Sequence, residues 1–346
     1  MSRARLLALA GPLLAVLLAL AAGAVFIAAI GERPLDIYAL MLRGSFGNGY
    51  GFGQTLFKAT PLVFTGLAVA LAFRAGLFNI GAEGQLYLGA FAAAMTGVWL
   101  APLPAVVLLP AALLAAAAAG AAWGAIPGLL KARFGSHEVI NSIMLNFVAF
   151  ALVSYAGHRV FQPASVRTAE IGAGAQLPRL DRVWPALRGS PANAALLLAL
   201  AAAAFTGVLL FRTRRGYALR VTGLSPGAAE YGGIRVGPTQ ALAMTISGAI
   251  AGLGGANFVL GYKHYFEQGF SAGVGFIGIA VALLAGNHPA GVLVAALFFG
   301  ALSYGGLVIN GRVPKELVDV LQGLVILLAI ALQAQFERLA RRRGLA

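Results

Sequence analysis

Apolar residues in this chain come in long runs separated by short polar interruptions, and each run is near the ~20 residues with which a helix crosses a bilayer. Ten such runs, at 6–30, 56–73, 77–100, 104–130, 139–161, 192–211, 239–261, 272–286, 289–309 and 317–335, predict an all-α integral membrane protein of about ten transmembrane helices. The whole of 1–346 reads as one transmembrane domain with two polar segments long enough to hold structure. The first, about 162–191, mixes Pro163, Pro178, Pro185 and Pro191 with charges and Trp184, and reads as an external loop. The second, about 212–238, reads as cytoplasmic; it carries Arg212, Arg214, Arg215, Arg220 and Arg235 around a helix signal. Ser225 is placed as N-cap, Pro226 at the first helical position and Gly232–Gly233 as terminator, which predicts one or two turns on the membrane face.

Composition removes the soluble alternative: 60% of the 346 residues are hydrophobic and 10% charged, where soluble domains carry about a quarter charged. The first run follows Arg3 and Arg5 as a secretory signal would, but it extends over 6–30 where a signal core has about 7–15 residues, so it reads as a retained anchor. The net charge of +14 is scattered between apolar runs and builds no basic domain, which favours membrane-surface anchoring over nucleic acid. An even number of spans puts both termini on one side, and the basic ends, Arg3/Arg5 and Arg338/Arg341/Arg342/Arg343, assign that side to the cytoplasm. The bias over the whole chain is weak, because Arg159, Arg167, Arg179, Arg182 and Arg188 fall on the other side. With no cysteine, thiolate catalysis and Cys-based metal sites are excluded, and His137, His158, His264 and His288 show no ligand or triad spacing that would suit a membrane enzyme.

A weak internal repeat is present. Glu138-Val139-Ile140-Asn141 resembles Glu316-Leu317-Val318-Asp319, and Gly81 with Gly84 has counterparts in Gly275 and Gly278. Pairing spans 2–5 with spans 7–10 makes the offset five spans, an odd number, so the repeats are expected to be inverted in the membrane.

Polar residues interrupt the apolar pattern most densely from Phe73 to Leu86. If a helix ran on from Arg74, Glu83 would lie about 13 Å deeper, and a carboxylate there must face protein, a partner or water rather than lipid. On that helix Asn79 shares a face with Glu83 and can hydrogen-bond it, while Gln85 projects elsewhere. Glu83 either lines a solute path or caps broken backbone around Gly81 and Gly84. A second stripe runs through Ser136, His137, Glu138, Asn141, Ser142 and Asn146; the deeper amides Asn141 and Asn146 suit a small polar solute or helix-to-helix bonding equally. Asp319 and Gln322 raise the same question in the last span. Gly120, Gly124 and Gly128, and Gly248 with Gly252, read as close helix packing.

Gly76-Leu77-Phe78-Asn79-Ile80-Gly81-Ala82-Glu83-Gly84-Gln85 resembles a signature of permeases from the nucleoside and simple-sugar branch of ABC importers, the branched-chain amino acid/ribose-type family. Three further segments are similar to family segments: Ser136 to Asn146, Arg215-Gly216-Tyr217 through Ala228-Ala229-Glu230-Tyr231-Gly232-Gly233-Ile234, and Gly275 to Leu284. The resemblance implies a type II-like permease that pairs, as a heterodimer, with a second permease, with a cytoplasmic ABC ATPase and with an external solute-binding lipoprotein. Substrate-pathway candidates are then Asn79, Glu83, Gln85, Asn141 and Asn146, and the ATPase-coupling candidates are Ser225, Pro226, Ala229, Glu230, Tyr231, Gly232 and Gly233. Sugar-importing relatives carry a Gly-Ile-Asp-Leu-Ser-type segment where this chain has Phe78 to Glu83, a departure that favours nucleosides.

Nucleotide hydrolysis needs a phosphate loop ending in Gly-Lys-Ser/Thr, and none of Lys58, Lys131, Lys263 and Lys315 follows a glycine. No cofactor is therefore expected in this chain; ATP and Mg are expected in the partner ATPase. The rival from another class is an ion-coupled secondary transporter that uses Glu83 as its proton or sodium site.

Overall fold

The computed structural model describes residues 3–342, with side chains from 14 to 332 except those of 315 and 330. Arg343 and the side chains of Arg3, Arg5, Arg338, Arg341 and Arg342, on which the orientation argument rested, lie outside that description. Each of the ten predicted spans falls on a helix: α1 (Arg3–Ala29), α3 (Gly49–Arg74), α4 (Ala82–Trp99), α5 (Ala105–Phe134), α6 (Glu138–Val160), α7 (Ala195–Arg212), α10 (Val236–Leu253), α12 (Val274–Leu284), α13 (Pro289–Ile309) and α14 (Lys315–Arg342). After α10 the chain runs through a short turn, α11 (Ala256–Phe258), and a π-helical stretch, Val259–Lys263, and these form one span with it. Ten is nonetheless an approximate number of crossings. Among the described residues, six helices are long and apolar enough to cross alone, and a seventh span arises if α1 and α2 (Pro34–Phe46) are one element bent by 115°.

Helix α2 was not anticipated, because Asp36 and Arg43 break its apolar pattern and 13 residues fall short of a span. Helix α3 also starts seven residues before the predicted 56, where Asn48 caps it by accepting from the Gly51 N–H at 2.7 Å. It is the central shaft: 83% of its apolar window is buried, against 22% for α5 and for α6, whose outward faces are free to meet lipid or a partner. The segment 162–191 holds only three-residue helical turns, and 212–238 holds two helices, α8 (Arg214–Leu224) and α9 (Pro226–Tyr231).

The packing repeats as the sequence suggested. Helix α10 lies on α5 as α3 lies on α13, α4 on α10 as α12 on α3, and α4 on α6 as α12 on α14. Each counterpart runs the opposite way: α3 goes from the end that carries the 162–191 loop to the end that carries α9, and α10 returns from α9 to that loop. Glycine permits the closest of these contacts, since a Cβ on Gly248 would sit 2.2 Å from the Gly120 carbonyl oxygen and one on Gly252 2.4 Å from that of Ala116.

Candidate functional site

Two of the ten helices begin in the interior. The chain unwinds at Ala75 and re-forms helix at Ala82, and on the other side of the repeat it re-enters through 264–273 before α12 begins at Val274. Helix α12 has 11 residues, roughly 16 Å, about half a ~30 Å hydrocarbon core. The two N-termini meet there: a Cβ on Gly275 would lie 2.4 Å from the backbone of Glu83, so only glycine allows the approach.

Unwound backbone within a membrane must find partners, since no water replaces the lost helical bonds. Neither half-helix is capped by the side chain of its own N-cap residue. Asn146 on α6 accepts from the Gly84 N–H at 2.9 Å and donates to the Ile80 carbonyl at 3.0 Å. Asn79 accepts from the Gly81 N–H at 3.0 Å, exchanges two hydrogen bonds with Gln85 at 2.8 and 3.1 Å, and donates to Ser247 on α10 at 2.7 Å. Glu83, 2% exposed, accepts from the Ser271 hydroxyl at 2.6 Å, the Gly273 N–H at 3.2 Å and the Gly275 N–H. One carboxylate thus sits at the electropositive start of α12, where a helix dipole favours negative charge.

Two local expectations are corrected by this geometry. Asn79 does not bond Glu83, and Gln85 does not project elsewhere but pairs with Asn79. Both follow from the same cause: 75–81 is not helical, so the i,i+4 register assumed for Asn79 and Glu83 does not exist. Four of the five pathway candidates, Asn79, Glu83, Gln85 and Asn146, are gathered in this buried network. Asn141 is not; half-buried, it donates to Ser136 at 2.7 Å at the start of α6, beside the Lys131–Glu138 ion pair of 3.0 Å.

Adjoining the junction is a cavity of about 230 Å³ between α3, the re-entrant loop, α13 and α14. Lys58, Ser271, Asp319 and Gln322 supply its polar groups, and Phe258 and Phe270 its aromatic ones. Ser271 belongs to both places, so the buried carboxylate fixes one wall of the cavity. Asp319 and Gln322 were visible as polar breaks in the last span. Lys58 was missed, although a lysine two residues into the run 56–73 was a signal in itself.

At the end that carries α9, Ser225 accepts from the Ala228 N–H at 3.3 Å, Pro226 opens the helix, Gly232 follows Tyr231, and Gly233 takes φ +79°. Ala229 is buried and anchors α9, whereas Tyr231 is 99% exposed and Leu224 87% exposed. Glu230 is exposed beside them. The preceding helix touches the break in the membrane: a Cβ on Gly223 would meet the Arg74 carbonyl oxygen at 2.3 Å and the Gly76 nitrogen at 2.8 Å. Arg74 is itself fixed, donating to the carbonyls of Asn287 at 3.0 Å and Gly286 at 3.3 Å.

The chain is 41% identical over 321 residues to the guanosine ABC transporter permease protein NupP of Bacillus subtilis, covering 91% of each. It is 39% identical to the glucose ABC transporter permease protein TsgB13 of Haloferax volcanii, covering 94% of this chain and 87% of the relative. Identity to the nucleoside ABC transporter permease protein NupB of Lactococcus lactis is 33%, covering 91% of this chain and 88% of that one. Residues 51–330, the stretch that holds both half-helices, the cavity and α9, match the model of one family, and the chain belongs to it: the branched-chain amino acid transport system / permease component family.

Proposed function

We propose that this chain is one permease of an ATP-driven importer of nucleosides, with simple sugars as the second class of solute to test. The observation that carries the reading is the combination of this family membership with an exposed, capped helix in a chain that has no phosphate loop of its own. Similarity to guanosine and nucleoside permeases supports nucleosides, and similarity to a glucose permease supports the sugar alternative.

In this reading the chain is a transport subunit and not an enzyme. A separate cytoplasmic ATPase binds ATP and Mg and seats on α9 through Glu230, Tyr231 and the turn from Ser225 to Gly233. The end that carries α9, and with it both termini, is then cytoplasmic in a bacterial cell (inner) membrane. A second, different permease faces this one across the solute path, and an external solute-binding lipoprotein delivers solute to the opposite end. Closure of the ATPase pushes α9 and α8, and Gly223 passes the displacement to Arg74–Gly76, where the backbone is already broken. Asn79, Glu83, Gln85 and Asn146 shape the path by holding the two half-helices, and Asn141 lies towards its cytoplasmic mouth.

Uptake of labelled guanosine into cells that carry the complete transporter, with and without this chain, tests the solute class. ATP-dependent guanosine uptake that disappears with the chain is the expected result. Uptake of glucose, with guanosine neither transported nor competing, would move the assignment to sugars.

A further inference from the structure

The cavity beside Ser271 has a lining that a solute path in general does not require. Lys58 on α3 and Asp319 on α14 are far apart in sequence and belong to membrane-spanning elements, where an ionisable side chain costs on the order of 2.5–3.5 kcal/mol and is kept only facing protein or water. Both converge on this one cavity. Phe258 and Phe270 stand edge to face there with ring centroids 5.0 Å apart. The Gln322 amide nitrogen is committed to the Ser303 hydroxyl at 3.0 Å, which fixes the plane of that amide.

Size and polarity together narrow the occupant. Ligand pockets usually span ~300–1,000 Å³. About 230 Å³ therefore suits a single ring system, the remainder of the solute lying towards a second subunit. Pro61, Leu62, Val274 and Ile277 make much of the wall apolar. A sugar, ringed with hydroxyls, would strand several of them against that wall at the cost of unmade hydrogen bonds. A planar heterocycle instead lays apolar faces on the wall and the phenylalanines and keeps its polar groups at the edge. Lysine donates to a ring carbonyl and the adjacent ring nitrogen, whereas a carboxylate can only accept, and so calls for neighbouring N–H groups. Both requirements are met on the edges of one base type, a 6-oxopurine with a 2-amino group.

We propose that this cavity is the base-recognition subsite of the permease, in which Phe258 and Phe270 receive the ring, Lys58 donates to its oxo edge and Asp319 accepts from its N1–H and 2-amino group. The subsite selects 2-amino-6-oxopurine nucleosides over 6-aminopurine nucleosides, and this selection rests on the nucleoside-permease reading above.

The test uses the complete transporter, reconstituted with its ATPase and second permease, with initial uptake of labelled guanosine and adenosine measured in mutual competition. Asp319→Asn removes one acceptor while keeping the shape, and should lower the guanosine-to-adenosine preference by roughly tenfold, within the range of one lost bidentate base contact. Asp319→Glu should restore part of the preference, and Lys58→Met should weaken it in the same direction. If Asp319→Asn does not assemble, Lys58→Met, which removes the donor to the oxo edge, gives the reading by itself. Nucleoside uptake whose base preference is unchanged in these variants overturns the subsite and leaves the proposed function standing. Variants that alter competition by glucose and not base preference overturn it in favour of a hydroxyl-reading site. A wild-type transporter that takes up neither nucleoside overturns the proposed function itself.

Discussion

Ser271 donates its hydroxyl to the Glu83 carboxylate at 2.6 Å, joining the first turn of one half-helix to the loop that leads into the other, 188 residues away in sequence. The same carboxylate accepts from the N–H groups of Gly273 and Gly275, so a single side chain holds the junction closed.

Glu83→Gln replaces one acceptor oxygen by an NH2 that cannot accept from these donors. At least one buried N–H then loses its partner, at about 1–3 kcal/mol. The purified transporter should unfold at lower temperature and import more slowly, while its uptake remains as dependent on ATP as that of wild type. An ion-coupled transporter would instead lose its dependence on the driving ion with the same substitution.

Helix α5 and helix α10 approach at their glycines, and the close approach makes a sharp contrast available. Gly252→Val places side-chain atoms against the Ala116 carbonyl, where a Cβ alone would come to 2.4 Å. Gly207→Ala in α7 meets nothing within 4 Å. Expression followed by size-exclusion chromatography should show loss of folded Gly252→Val and normal recovery of Gly207→Ala.

On the exposed face of α9, Glu230→Arg or Tyr231→Asp should separate ATP hydrolysis from uptake without changing membrane insertion. Ser225→Ala removes the N-cap of a six-residue helix and should cost about 1 kcal/mol locally, giving a partial loss of coupling. Gly223→Val presses on Arg74 and Gly76 and should uncouple as strongly as the α9 variants do. Uptake and ATP hydrolysis measured on the same vesicles give the ratio directly; a ratio equal to wild type in all four would remove α9 and α8 from the coupling route.

Much of this architecture was legible because its causes are local. Ser225, Pro226 and Gly232–Gly233 define α9 within nine residues, and capping chemistry depends on nothing further away. The repeat was legible from paired glycines, since Gly81 and Gly275 both mark the start of a half-helix. The Asn79–Gln85 pair was not legible, because a helical register was carried through 75–81, where Asn146 donates to the Ile80 carbonyl and the Asn79 side chain donates to Ser247, both partners lying on other helices. Nor was the cavity: Lys58, Phe270 and Asp319 come together only through the packing of α3, the re-entrant loop and α14. Helix α2 escaped for a different reason, being short and interrupted by charge at Asp36 and Arg43.

The central claim is that force reaches this bundle from a separate nucleotide-driven motor. Reconstituting the two permeases in proteoliposomes, with and without the ATPase, and following nucleoside accumulation decides it. Accumulation that needs both the ATPase and ATP, and ignores imposed proton or sodium gradients, is the predicted result. Accumulation against a gradient by the permeases alone, driven by either ion and without nucleotide, would contradict it.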